Sequence, residues 1–240
     1  MPASAHPLSL ADLPAAVWHA DALAVSHAQV VPTGDALLDA QLPGGGWPVG
    51  ALTEILQPPG VHSEWRLLLP ALARCGSGPV VLVGAPQLPF APALAAQGLH
   101  AQRLLWVTEP AASTRLWVAE QALRCAEVDA VLAWLPQARS DQLRRLQMAA
   151  AEHSKLLFVL RPAQAQWDAS PAALRLCVAP AGQGAQGTPP GDALAVQVLK
   201  RRGPPLTQAL YLTARPARLS LLLAAAKEGF HALDRTAARA

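Results

Sequence analysis

The residues of this chain best placed to do chemistry lie in ALTEILQPPGVHSEWRLLL, from Ala51 to Leu69, where an apolar strand leads through a short loop into a helix. A strand, a loop and a helix in that order are the setting of a phosphate-binding loop of pattern G-x-x-x-x-G-K-[ST]. Glycines there let backbone N–H groups close around phosphate oxygens. The lysine neutralises the β- and γ-phosphates, and the hydroxyl ligates Mg²⁺. In that register Gln57 takes the first glycine place, His62 the second, Ser63 the lysine place and Glu64 the hydroxyl place. Between them stand Pro58, Pro59, Gly60 and Val61, and the two prolines have no N–H to donate. Charge-assisted hydrogen bonds contribute about 1.5–3 kcal/mol each. Losing two weakens binding by roughly 10² to 10⁴-fold, at about 1.4 kcal/mol per decade. Glu64 adds repulsion. An acidic residue at the end of the fourth strand would help hold Mg²⁺, but DAVLAWLP ends there in Trp134 and Leu135. The setting is present and its chemistry is gone, so neither a nucleotide cofactor nor catalysis is expected.

Other reactive side chains do not gather. Cys75, Cys125 and Cys177 are odd in number, far apart and outside any C-x-x-C, so they predict neither disulfides nor a zinc site and read as reduced, mostly core thiols. The histidines are scattered, with no H-x-x-x-H pair to set two imidazoles on one helical face, and no metal centre is expected.

The elements that must position the loop residues follow an alternation that begins at Ala51. Apolar runs at 51–56, 79–85, 103–109, 129–135 and 155–160 are separated by helix-length stretches: Trp65 to Cys75, Ala91 to Gln97, Ser113 to Ala126 and Asp141 to His153. Short apolar runs alternating with helices predict an α/β fold, a mostly parallel sheet with helices on both faces. Two further strands are expected at 174–180 and 194–202, joined by the loop AGQGAQGTPPGD. Leu10, Leu13 and Val17 at near-helical spacing predict a short amphipathic arm before a turn-rich stretch from Pro32 to Gly50, and a last helix is expected from about Ala217 to Leu233. The organisation read from this is an arm over 1–31, a core over 32–215 and a tail over 216–240.

Composition agrees with one folded domain: hydrophobic residues make up 52% and charged residues 15% of 240, far from the composition of disordered chains. Pro, Gly, Gln or Arg interrupts every apolar run well short of the ~18 residues a membrane span needs. The first basic residue is Arg66, so no basic secretory n-region is seen, and the cytoplasm is the expected compartment. Charge is polarised along the chain. Six acids and no Lys or Arg precede Arg66, whereas eight basic residues against two acids lie from Lys200 onward. Such polarity suits head-to-tail contacts or an acidic partner, and equally two solvated surfaces.

Two patches in order carry a family likeness. TGDALLDAQLPGGGWPVGALTEILQPPG resembles the approach to the phosphate loop in RecA recombinases, and VQVLKRRGPPLTQALYL, from Val196 to Leu212, is similar to their late strand of alternating basic residues followed by a Pro-rich turn. Within that superfamily the chain resembles the ImuA family of RecA-like accessory proteins, whose LPGGGWPxGALTEIL signature stands here as Leu42 to Leu56. The likeness implies a RecA-like fold with a degenerate phosphate loop. It also implies a non-catalytic, nucleoid-associated role in SOS-induced, error-prone translesion synthesis, alongside the Y-family-like protein ImuB, the polymerase ImuC and RecA itself. A SulA-like division inhibitor that binds FtsZ is the alternative.

Departures from the recombinases narrow the role. Glu109 falls near the place of their water-activating glutamate, with no phosphate to act on. Between Arg161 and Leu174 there is no basic residue where a recombinase grips DNA, so DNA contact is expected to be weak or indirect. Arg139, Arg144 and Arg145 form the best remaining basic cluster, and Trp117 and Trp134 are expected in the core. Candidate partner-binding residues are Val17 and Trp18 on the arm, which could fold back, join another copy or engage RecA. Lys200 and Arg202 could meet an acidic partner or line the solvated face of an edge strand. In the tail, Leu222, Leu223 and Phe230 on an apolar stripe, flanked by Arg215, Arg218 and Lys227, could dock a partner or close the domain's own sheet.

Overall fold

Strands that carry Val, Leu and Ile on both sides have no face to offer to water, and in a parallel sheet they must be covered twice. The computed structural model of the protein, which describes residues 29–181 and 193–212, is built in that way. A small antiparallel ribbon comes first, β1 (Val30–Val31) against β2 (Trp47–Pro48), with the single-turn helix α1 (Ala36–Asp39) between them. Asp35 caps that turn by accepting from the backbone N–H groups of Leu37 and Leu38.

The main sheet then alternates with helices: β3 (Ala51–Gln57), α2 (Glu64–Leu72), β4 (Val80–Val83), α3 (Ala91–Ala95), β5 (Leu104–Val107), α4 (Ala112–Arg124), β6 (Ala130–Trp134), α5 (Ser140–His153), β7 (Leu156–Pro162), β8 (Leu174–Pro180), β9 (Leu194–Lys200) and β10 (Leu210–Leu212). Spatial order is β10-β9-β8-β3-β7-β6-β4-β5. Six strands from β8 to β5 run parallel, while β9 and β10 extend one edge in antiparallel pairing. The α/β class and the mostly parallel sheet match the expectation, and each expected strand of the main sheet is found within a few residues.

Each face has its own core. Leu67, Leu68 and Leu72 of α2 pack with Ile55, Leu82, Leu132 and Phe158, and Trp47 from the ribbon meets Phe158 edge-on at 5.4 Å. On the other face Leu123 of α4 and Leu143 and Leu146 of α5 cover Leu52, Val131, Leu157 and Val159. At the amino ends of β4 and β6, Asp129 accepts from the Gly78 N–H at 2.6 Å and pairs with Arg103 at 3.2 Å. The guanidinium of Arg103 also donates to the carbonyls of Gly78 and Leu72.

Three expectations change. Trp117 is 59% exposed rather than core, because α4 turns Ala119, Glu120 and Leu123 inward; Trp134 is buried as expected. The cysteines are free, but Cys75 and Cys177 are half-buried and Cys125 is exposed, so none is a true core thiol. Helix α2 begins at Glu64 and ends at Leu72, short of Cys75. The amino-terminal arm with Val17 and Trp18, the loop over 182–192, and the tail with Arg215, Arg218, Leu222, Leu223, Lys227 and Phe230 lie outside the described residues.

Candidate functional site

In open α/β sheets ligands bind at the carboxyl ends of the strands, where the chain's direction of travel across the sheet reverses. Strand β3 marks that point: its successor β4 lies toward one edge, whereas β7 is followed by β8 on the opposite side of β3. Beyond the end of β3 the loop residues do come together. Gln57, Ser63 and Glu64 are buried, while Pro59, Gly60 and His62 face outward. With its amide nitrogen turned toward Glu64, Gln57 donates to Glu64 Oε2 at 3.3 Å and accepts from the Ser63 N–H at 2.9 Å. His62 Nδ1 lies 3.9 Å from Glu64 Oε1. The Glu64 carboxylate thus sits at the first residue of α2, where the helix dipole favours negative charge. Glu64 does more than repel a phosphate: the chain's own anion takes the polar partners of the loop.

Every parallel strand from β3 to β7 ends on a proline or within three residues of one: Pro58 and Pro59 after β3, Pro86 after β4, Pro110 after β5, Pro136 after β6 and Pro162 closing β7. At each of these positions the proline removes an amide donor that could help cradle an anion. Above this rim lies Arg115 of α4, which donates through Nε to the carbonyl of Glu109. Gly84, at φ +69°, permits this, since a Cβ there would stand 2.8 Å from Cδ and Nε of Arg115. Glu109 itself accepts from the Ala111 N–H at 3.1 Å and serves the turn into α4.

Beneath the rim is an ionic network that the sequence reading missed. Glu54, in the middle of β3 and fully buried, accepts from Arg161 NH1 of β7 at 2.8 Å and from Arg175 Nε of β8 at 2.6 Å. Arg161 also pairs with Asp168 at 2.8 Å and donates to the Ala138 carbonyl, leaving its Nε without a partner. Arg175 donates to the carbonyls of Ala165 and Gln166, fixing the short 3-10 turn Ala163–Trp167. Trp167, at the end of that turn, is 85% exposed. With both carboxylate oxygens engaged and the side chain fully buried, Glu54 ties β3 to β7 and β8. The signal was available: Glu54, Arg161 and Arg175 are charges inside otherwise apolar strands, where an unpaired charge is strongly unfavourable.

The remaining candidates are scattered. Lys200 and Arg202 line a depression of about 570 Å³ at the opposite, amino end of the strands, together with Arg201. Lys200 donates to the Ser170 carbonyl at 3.1 Å, and Arg201 to the carbonyls of Gln41 and Pro204. The basic cluster on α5 is largely matched by acids: Arg145 pairs with Glu120 at 2.5 Å and Arg139 with Asp141 at 3.4 Å. Among the described residues no three His, Cys, Asp or Glu side chains converge as a metal site. Burial pushes the Cys75 thiol above its ordinary pKa, opposed by the neighbouring Arg103, and burial raises Cys177 as well. No described helix is long and apolar enough to cross a membrane. Compared with known proteins, the chain matches no family model and no curated sequence.

Proposed function

We propose that this chain is a non-catalytic, RecA-like scaffold of the ImuA type. It serves damage-induced, error-prone DNA synthesis in the cytoplasm through contacts with a Y-family-like partner, ImuB, the polymerase ImuC and RecA. The observation that carries the non-catalytic part is the buried Glu64 carboxylate, held by Gln57 at the head of α2 where a nucleotide phosphate would need open amides and a cation. The parallel sheet with its switch point at β3, and the LPGGGWPVGALTEIL run from Leu42 to Leu56, support the RecA-like part. The lack of any basic residue from Pro162 to Ala173 favours protein contacts over a grip on DNA.

Thermal melting with and without Mg-ATP tests the reading. A ligand present at 100 times its Kd stabilises by about 2.7 kcal/mol, so the expected result, no shift at millimolar Mg-ATP, is readily told from binding. A clear upward shift, or steady phosphate release, refutes it. Co-purification of the full chain with ImuB tests the pathway separately, and loss of that complex with both proteins folded would remove the ImuA-type role.

A further inference from the structure

We infer that the carboxyl edge of the sheet is a docking groove for an acidic, apolar peptide segment of a protein partner, anchored by Arg115. The inference deepens the proposed scaffold role and rests on it, because a bound nucleotide would compete for the same edge.

Two shallow depressions lie there, about 270 Å³ against the loop after β3 and about 310 Å³ between the amino ends of α4 and α5. Arg115, Trp134 and Pro136 line both, so the two form one trough with the guanidinium at its centre. The basic residues lining it are His62, Arg115, Arg139 and Arg161, and no Asp or Glu lines it. Two of these are already neutralised, Arg161 by Glu54 and Asp168 and Arg139 by Asp141. Arg115 differs. It is half-buried, its hydrogen bond runs to a backbone carbonyl, and among the described residues no carboxylate lies within ion-pair distance of it. Gly84 leaves room for it, since a Cβ there would meet the Arg115 side chain.

A fixed guanidinium with spare donors, set in an apolar trough, favours a carboxylate flanked by apolar side chains, since Arg binds carboxylates through parallel N–H donors. Leu88 and Phe90, 69% and 72% exposed, lie two and four residues beyond Pro86, which lines the trough. Nucleic acid fits less well. It requires many cations and amide donors along a phosphate backbone, and this rim has prolines and a single uncompensated arginine.

Selection of a random-peptide display library on the full-length protein, with counter-selection on an Arg115→Glu variant, tests the inference. Enriched peptides are expected to carry Asp or Glu next to Leu, Phe or Trp. Measured by fluorescence anisotropy, Arg115→Ala should weaken them by about tenfold or more, the loss of one charge-assisted hydrogen bond. Gly84→Ala, which displaces the guanidinium, should weaken them in the same direction, and Lys200→Ala at the far end of the strands should not. Unfolding curves of the variants confirm that the fold is retained. The inference is overturned if nothing is enriched, if enriched peptides lack carboxylates, or if Arg115→Ala binds them as well as the parent chain. It is also overturned if oligothymidylate, and no peptide, shows the Arg115 dependence, which would make the trough a nucleic-acid site. Displacement of Arg115-dependent peptides by millimolar Mg-ATP would leave the groove standing and refute the nucleotide-free scaffold instead.

Discussion

Both ends of the parallel strands spend side chains on backbone, but they differ in how deeply they bury charge. The Arg103–Asp129 pair at the amino end is partly exposed, whereas the Glu54 network beneath the carboxyl rim has a fully buried carboxylate between two buried arginines. At the amino end, side chains are spent on backbone: Gln147 accepts from the Leu52 N–H at 2.6 Å and donates to the Gly50 carbonyl at 3.2 Å, and Lys200, Arg201 and Arg103 each reach main-chain carbonyls. At the carboxyl end, charges answer charges beneath a rim of prolines, and one guanidinium is left over. A basic residue therefore says little by its type alone. By sequence Lys200 and Arg202 could meet an acidic partner, yet Lys200 is already engaged by the Ser170 carbonyl, whereas Arg115, which nothing in the sequence marks out, keeps donors for something outside the domain.

Breaking the carboxyl end should have the largest effect. Glu54→Gln leaves the buried Arg175 guanidinium without a carboxylate and Arg161 with Asp168 alone, and is expected to lower stability by about 3–5 kcal/mol, read as a shift in the urea midpoint; a change under about 1 kcal/mol would show that the network is incidental. The amino end should yield less. Gln147→Leu strands the buried Leu52 N–H and the Gly50 carbonyl, with an expected cost of about 1–3 kcal/mol in the same titration. If it proved as costly as Glu54→Gln, the contrast between the two ends would collapse.

The smallest effect is alkaline. Cys75, beside Arg103 at the amino end, and Cys177 on β8 hold their protons to higher pH in the folded chain than at the ordinary value of 9.0. The folded state then binds more protons than the unfolded one, so this part of the stability is complete below pH 9.0 and declines as pH rises toward the folded values. Melting temperature should fall slightly on the alkaline side, and replacing both residues with Ala should flatten that fall. Labelling with a maleimide at neutral pH should reach exposed Cys125 first.

Much of the fold was legible because buried parallel strands announce themselves as unbroken apolar runs, and the segments at 79–85 and 129–135 became β4 and β6 within a residue or two. The loop from Gln57 to Glu64 was legible as a degenerate motif because its register is local. The three charges of the ionic network stand out in their apolar strands, but their pairing was not legible, since Glu54 finds Arg161 and Arg175 at separations of 107 and 121 residues, and no short window holds all three. Trp117 was misplaced for a different reason. The inward positions of α4 repeat at 116, 119, 120 and 123, and Trp117 falls outside that phase although its side chain is the largest on the helix. Helical phase was the better guide than hydrophobicity.

The pairing of Glu54 with arginines on both flanking strands also sets an order of events during synthesis. When β3 leaves the ribosome its glutamate has no partner, and the first arrives 107 residues later with β7, the second with β8. At translation rates of about 5–20 residues per second, the central strand waits several seconds as an apolar segment carrying an unanswered charge. That charge keeps β3 solvated and discourages premature association with other chains. Completion of the sheet then converts the same residue into the bolt that holds its middle three strands in register.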